Sequence, residues 1–175
     1  MQNRLIYRIK KREDKHIHSF FAKEFLPLIE QLEKEVALSA ENAVITYLPR
    51  SREATLLHGT DQAKALATVL SEKSGIPLSS LLYRKKGSGH AQKHLTPAQR
   101  VENAKQVYGS RKGVDCKGKI VLLVDDLVTT GASVAVCTQI LRRMGAKCVF
   151  AVAVASDSAN KDTMPMPKRI KNAIF

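Results

Sequence analysis

The chain has 175 residues, of which 44% are hydrophobic and only 5% aromatic, so it is long enough for one domain with an aliphatic core. Its formal net charge of +13 favours polyanionic ligands, either phosphorylated metabolites or nucleic acid. No apolar run has the length of a membrane span, and three cysteines without a CxxC pair argue against a zinc site or a disulfide framework, so we expect a cytoplasmic protein with buried, reduced thiols.

The N-terminal part of the chain predicts a strand, a helix and a second strand. The segment RLIYRI, at 4–9, has the composition of a short strand, and no apolar stretch follows its basic residues, so we expect no signal peptide. Apolar residues at a helical period predict a helix over 18–38, which Pro27 should kink or restart. The run AVITYL, at 43–48, predicts a strand that Pro49 ends.

The middle of the chain predicts a helix, a short strand and a loop. Residues 61–75 place apolar side chains on one helical face and finish with Gly75, which is typical of a helix C-terminus. The segment LLYR, at 81–84, predicts a short strand. The segment GSGHAQKH, at 87–94, predicts a loop.

A capping box marks the start of the next helix. Thr96 and Gln99 have the required spacing, and Pro97 occupies the first helical position, so the helix should run to about Val107. The run KIVLLV, at 119–124, follows this helix and is apolar over its last five residues, which predicts a buried strand.

The C-terminal part completes the pattern that predicts the fold class. A helical period over 133–145 is followed by the apolar strand CVFAVAVA at 148–155. Apolar strands that alternate with helices are typical of an α/β fold in which helices cover both faces of a parallel sheet. We expect a single domain over 1–175, with a core at about 40–156 and a basic tail at 157–175.

Two acids and a run of small residues follow the strand at 119–124. In parallel sheets the ligand lies beyond the carboxyl ends of the strands, so Asp125, Asp126 and the loop up to Ser133 predict a binding site. Backbone N–H groups before a helix hold phosphates, and Gly131 lets the backbone approach one closely. Carboxylates would repel that phosphate but accept hydrogen bonds from sugar hydroxyls. The pattern therefore predicts a ribose 5-phosphate site.

Other phosphate chemistries fit this sequence less well. The GxxxxGK[ST] pattern of a P-loop and the glycine triplet of a dinucleotide fold are both absent. The acids are adjacent, which does not match the DxDxT of aspartyl-phosphate enzymes. The alternative without any ligand, an acidic strand end before a turn, is disfavoured because two adjacent acids gain nothing from packing.

The segment VLLVDDLVTTGAS, at 121–133, resembles the motif with which type I phosphoribosyltransferases bind 5-phosphoribosyl 1-pyrophosphate (PRPP). Two other segments, YLPRSREATLLHGTDQAKALA and LYRKKGSGHAQKHLTPAQRVENAKQVY, resemble the ComF family of competence proteins, and the resemblance covers roughly residues 5–155. It departs at the N-terminus, where family members usually carry a cysteine-rich zinc ribbon that this sequence lacks. It departs again at HGTDQ, at 58–62, where the family usually has Arg-Gly-Phe-Asn-Gln.

The resemblance implies a type I phosphoribosyltransferase fold, with a parallel sheet, a small hood and a flexible loop, and it implies roles for the matching residues. Asp125 and Asp126 would be the catalytic acids that hold the ribose hydroxyls. The 5-phosphate would lie against Thr129, Thr130, Gly131, Ala132 and Ser133. The pyrophosphate would be bound by Pro49, Arg50 and Ser51. It would be covered by a mobile loop that begins with Arg84, Lys85 and Lys86.

The reaction implied by the resemblance is displacement of pyrophosphate from PRPP by a nitrogen nucleophile, which would make the protein a pentosyl-transferring glycosyltransferase. Mg²⁺ would be the cofactor and would be bound mainly through PRPP, because magnesium takes few protein ligands. The alternative is a non-catalytic factor of DNA uptake that binds single-stranded DNA through its basic surface, and the net charge of +13 favours it. The identity of the acceptor and the formation of a homodimer are left open.

Overall fold

The computed structural model describes residues 15–51, 55–56, 61–85, 96–128 and 131–156. The helices are α1 (Lys15–Val36), α2 (Gln62–Ser74), α3 (Pro97–Val107) and α4 (Ala132–Arg143). The strands are β1 (Ala43–Tyr47), β2 (Leu82–Arg84), β3 (Tyr108–Ser110), β4 (Ile120–Val128) and β5 (Cys148–Ser156). The predicted strand at 4–9, the predicted loop at 87–94 and the basic tail lie outside the described residues.

The central sheet is parallel, with the strand order β1-β4-β5. Tyr47, the last residue of β1, pairs with Val124 of β4, so β1 ends one residue before the two acids. The chain after α2 adds a single parallel bridge beside β1, where Ile45 accepts from Ser79 and donates to the carbonyl of Pro77. The predicted parallel sheet is therefore confirmed.

Different helices cover the two faces of this sheet. Ile45 and Leu122 lie in the core that α1 and α2 form on one face, whereas Val121 and Leu123 lie in the core that α3 and α4 form on the other. The residues from Ile120 to Val124 are at most 1% exposed. Burial on both faces explains why this segment is apolar throughout rather than alternating with polar residues.

Local sequence signals set several helix ends as predicted. Asp61 caps α2 by accepting from the N–H of Lys64, and Gly75 ends that helix at a φ of 71°. The capping box at the start of α3 is present, with Thr96 and Gln99 each bonding the other's backbone N–H. Of the two effects predicted for Pro27, a restart does not occur, because α1 runs through this residue as one helix.

The structure corrects the placement of two strands. The predicted strand at 81–84 is β2, but it pairs antiparallel with β3 in a separate two-stranded sheet, and β3 was not predicted. The strand predicted at 119–124 continues to Val128, because β5 stays alongside it and Asp125 pairs with Ala153. The two acids therefore lie inside β4, at positions beyond the point where the neighbouring strand β1 ends.

Two observations concern the expected class of protein. Among the described residues, no helix is both long and apolar enough to cross a membrane. All three cysteines are free thiols, as predicted, with Cys116 and Cys137 buried and Cys148 only partly buried.

Candidate functional site

A pocket opens where β1 ends beside β4. It is lined by Leu48, Pro49, Arg50, Asp61, Ala63, Arg84, Tyr108, Asp125 and Asp126. Ligands of parallel sheets bind outside the carboxyl ends of the strands, and the pocket lies at such a place, where β1 ends and its neighbour β4 continues. Three carboxyl groups and two guanidinium groups face one small volume, so the site is suited to a ligand with both hydroxyl groups and anionic groups.

Asp125 is the buried acid of the site, with 9% of its surface exposed. Its Oδ1 accepts a 2.8 Å hydrogen bond from the N–H of Asp126. Burial, and after it the charge of Asp126, raises the pKa of Asp125 from 3.8 to about 8. At neutral pH this carboxyl group therefore keeps its proton and can donate a hydrogen bond as well as accept one.

Asp126 is more exposed than its neighbour and has a cationic partner. Its Oδ2 lies 3.6 Å from Nη2 of Arg50, and its Oδ1 accepts from the N–H of Leu127 at 2.9 Å. Successive residues of a strand project to opposite faces, so Asp126 lies on the side of α2 while Asp125 lies on the side of α4. The pair of acids thus spans the pocket rather than lining one wall.

The loop after β1 is held against the start of α2. The N–H of Arg50 donates to Oδ2 of Asp61 at 3.4 Å, and Nη1 of Arg50 donates to Oε1 of Gln62 at 3.2 Å. Gln62 is only 2% exposed. Burial raises the pKa of Asp61, although its bonds to the N–H groups of Lys64 and Arg50 oppose that rise. These contacts fix where the Arg50 guanidinium group lies.

A second arginine lies on the opposite wall, on β2. Nη1 of Arg84 donates to the hydroxyl of Tyr108 at 3.3 Å, and its Cζ atom lies 5.6 Å from the centre of that ring. The Tyr108 hydroxyl in turn donates to Oγ of Ser133 at 3.5 Å. Burial raises the pKa of Tyr108, so the hydroxyl remains protonated. Nε of Arg84 is buried and finds no hydrogen-bond partner within the part of the chain that the structure describes.

The first turn of α4 begins at Gly131, which has a φ of 71°. Gly131 has no side chain, so within the described residues the N-cap position of α4 offers no side-chain cap to the first N–H groups, whereas Asp61 and Thr96 cap α2 and α3. Such N–H groups, together with the helix dipole, attract anions. Ser133, in the same turn, adds a hydroxyl group.

The structure brings five of the predicted site residues to one pocket, namely Pro49, Arg50, Arg84, Asp125 and Asp126. Ser51 adjoins them, and Ser133 is joined to them through Tyr108. Gly131 and Ala132 begin α4, and Lys85 is exposed beyond β2. Thr129, Thr130 and Lys86 lie outside the described residues. The sequence did not predict Asp61, Gln62 or Tyr108 as site residues; Asp61 had a signal, since it begins a helix close after the Pro49 loop.

The described residues contain no group of three or more histidine, cysteine or acidic side chains that could bind a metal ion. The donor set therefore fits a cation that is held mainly by oxygens of a bound ligand, and it does not fit a metal ion held by the protein alone.

A family model of the phosphoribosyl transferase domain matches residues 58–172. The ribose-phosphate pyrophosphokinase of Pyrococcus furiosus is 33% identical over 93 residues, and the match covers 53% of this chain and 26% of that protein. The chain thus spans about a quarter of the length of this curated relative.

Two solved structures are similar in fold. The hypoxanthine phosphoribosyltransferase of Trypanosoma cruzi has a TM-score of 0.54 at 14% identity, covering 87% of this chain and 74% of that one. The hypoxanthine phosphoribosyltransferase of Staphylococcus aureus has a TM-score of 0.51 at 13% identity, covering 93% and 77%. At such identities the likeness concerns the fold alone.

Proposed function

Because the chain belongs to the phosphoribosyl transferase domain family and has the α/β fold of type I phosphoribosyltransferases, we propose that its pocket binds PRPP and transfers the phosphoribosyl group to a nitrogen nucleophile. The observation that carries the proposal is the combination found at one end of the sheet. Two adjacent acids, one buried and one paired with Arg50, lie between an arginine held by α2 and the first turn of α4.

In this proposal each part of PRPP binds a different part of the pocket. The 5-phosphate fits the first turn of α4, where N–H groups and the hydroxyl of Ser133 are available. The ribose hydroxyls fit the two acids, since charged Asp126 accepts hydrogen bonds and protonated Asp125 also donates one. The pyrophosphate fits the loop at 49–51, beside Arg50.

The chemistry asked of these residues is electrostatic. As pyrophosphate leaves C1, negative charge grows on the leaving group and positive charge grows on the ribose ring. The Arg50 guanidinium group stabilises the negative charge on the leaving pyrophosphate, and the carboxylate of Asp126 stabilises the positive charge on the ribose ring. Mg²⁺ would be held by the oxygens of PRPP and would add positive charge at the pyrophosphate, as the donor set of the site allows.

The names of the relatives support a ribose phosphate as the ligand. The matching family model is of a phosphoribosyl transferase domain, and the curated relative is a ribose-phosphate pyrophosphokinase. Both kinds of name refer to a sugar phosphate, whereas they do not share an acceptor for it. We therefore propose PRPP as the substrate of this chain. We also propose a ComF-like role, which rests on the sequence segments described above.

The proposal is tested by calorimetric titration of the full chain with PRPP and Mg²⁺. Asp126→Asn should weaken binding by about 1.5–3 kcal/mol, or roughly ten- to hundredfold, because it removes a charge-assisted hydrogen bond. Asp115→Asn is the matched control, since Asp115 is exposed and does not line the pocket. Wild-type protein without measurable affinity for PRPP would refute the proposal, and so would equal affinities of Asp126→Asn and the control.

A second candidate function is favoured by the net charge of +13. We propose single-stranded DNA as a polyanion that the basic surface would bind outside the pocket. Such binding should weaken with salt by about 0.7 in log K per unit of log salt for each phosphate contact. It should survive Asp126→Asn, because that carboxylate contributes no positive charge. Absence of DNA binding at low salt would remove this candidate and leave the transferase proposal unaffected.

A further inference from the structure

Arg84 is held in an unusual way for a surface cation. It lies in β2, and its guanidinium group is stacked near the ring of Tyr108 while Nη1 donates to the hydroxyl of the same residue. Its Nε is buried without a hydrogen-bond partner among the described residues. Burying a charged donor without a partner is unfavourable, so an acceptor from a bound ligand would stabilise this arrangement.

The contacts of Tyr108 show which end of the pocket Arg84 faces. The hydroxyl accepts from Arg84 at 3.3 Å and donates to Oγ of Ser133 at 3.5 Å, so one side chain joins β2 to the first turn of α4. Ser133 belongs to the turn that offers N–H groups to an anion. Arg84 is therefore joined to the end of the site where the 5-phosphate is proposed to bind.

Arg50 has a different set of neighbours. Its guanidinium group contacts Asp126 and Gln62, and its backbone contacts Asp61, which places it on the side of α2. The two arginines of the pocket thus lie on separate walls, each held by its own polar side chains. One ligand that carries phosphate groups at both ends would engage each arginine with a different group.

We propose that Tyr108 is a positioning residue that holds Arg84 at the 5-phosphate end of the pocket, so that Arg84 recognises the sugar phosphate while Arg50 recognises the pyrophosphate. The inference rests on the proposed function, and it departs from the sequence-based expectation that Arg84, with Lys85 and Lys86, covers the pyrophosphate. In the structure the fixed contacts of Arg84 run toward Ser133.

Two ligands separate the two ends of the pocket. Ribose 5-phosphate has no pyrophosphate, and inorganic pyrophosphate has no sugar phosphate. Arg84→Gln should weaken ribose 5-phosphate about tenfold or more and change pyrophosphate affinity by less than about threefold, and Arg50→Gln should do the reverse. Calorimetric titration of the full-length variants measures both affinities. Loss of pyrophosphate affinity in Arg84→Gln, with ribose 5-phosphate unchanged, would overturn the inference.

The role of Tyr108 is tested by removing only its hydroxyl group. Tyr108→Phe should weaken ribose 5-phosphate about fivefold, and it should have no further effect when Arg84 is already glutamine, because it acts through Arg84. Tyr47→Phe is the matched control, since Tyr47 is a buried tyrosine that bonds Ser80 at 3.1 Å and does not line the pocket. Additive effects of the two substitutions would refute a positioning role.

The possible failures can be told apart. Wild-type protein that binds neither PRPP nor ribose 5-phosphate would refute the proposed function and this inference with it. Wild-type protein that binds both, with Tyr108→Phe unchanged in ribose 5-phosphate affinity, would overturn the inference alone. If Tyr108→Phe does not fold, as judged by its thermal transition beside Tyr47→Phe, the Arg84→Gln and Arg50→Gln titrations decide which arginine faces the sugar phosphate.

Discussion

Asp125→Asn should stabilise the folded protein at neutral pH, and the gain should vanish in acid. Burial and the nearby charge of Asp126 raise the pKa of Asp125 to about 8 in the folded chain, whereas the unfolded chain should release this proton near 3.8. Between these values the folded state binds more protons than the unfolded state. The free energy of unfolding therefore falls as the pH rises from about 4 to about 8, and it is constant, as far as this group is concerned, outside that window.

The size of the effect follows from the distance between the working pH and the pKa of an ordinary aspartate. Each pH unit above that pKa costs the folded state about 1.4 kcal/mol while Asp125 keeps its proton, so the cost at pH 7 is about 4 kcal/mol. Asparagine has the same shape and carries no charge to desolvate. The amide replaces a neutral carboxyl group that is buried in the same place, so we expect the variant to recover most of that cost, about 4 kcal/mol, at pH 7.

Urea denaturation at a series of pH values measures this prediction. The wild-type and Asp125→Asn proteins should have similar free energies of unfolding near pH 4 and should diverge steadily up to about pH 8. Asp115→Asn, on an exposed turn, controls for a general effect of replacing an acid by an amide. Wild-type and Asp125→Asn profiles that run parallel from pH 4 to pH 8 would show that Asp125 ionises normally, and our account of the pocket would be wrong.

Three further predictions concern the surroundings of the pocket. Gly131→Val and Gly113→Val both force a branched residue to a positive φ, of 71° and 76°, so each should lower the free energy of unfolding by about 1–2 kcal/mol. Only Gly131→Val should abolish binding of inorganic phosphate, and equal phosphate binding by both variants would contradict the anion site at α4. Burial raises the pKa of Cys137 from 9.0 to about 12. At pH 8 iodoacetamide should therefore alkylate Cys137 about a thousandfold more slowly in the native protein than in urea, and rapid labelling of the native protein would contradict its burial. Thr96→Ala removes the capping box of α3 and should lower the free energy of unfolding by about 1 kcal/mol, a loss that urea denaturation should not show for Thr68→Ala within α2.

The sequence predicted those features that depend on neighbours along the chain. The capping box of α3 uses residues three apart, and the end of α2 needs one glycine at a positive φ. The apolar run before Asp125 predicted a buried strand, since burial on both faces demands such a run. The same motif singled out the two acids and Gly131, because their order along the chain follows from the geometry of a strand, a turn and a helix.

The features that the sequence missed depend on residues distant along the chain. Tyr108 lies 24 residues from Arg84 and 25 from Ser133, and no local pattern indicates that a tyrosine after a helix will bridge the two. Strand β3 was missed for the same reason, since three residues have too little period to predict a strand and acquire their partner only when β2 lies beside them. Gln62 is part of a helical face in the sequence, and its contact with Arg50 becomes apparent only when the loop after β1 folds back.

The sequence by itself determined that two acids would directly follow an apolar strand segment and precede a glycine turn at the start of a helix. Tertiary structure decided how each acid behaves, although the two are identical in type and adjacent in the chain. Asp125 lies within the sheet toward α4, so burial raises its pKa to about 8, whereas Asp126 reaches the more open side and lies 3.6 Å from Arg50. The physical reason is that a side chain's charge depends on the water and the charges around it, and in a folded sheet these are supplied mainly by residues far away in the sequence.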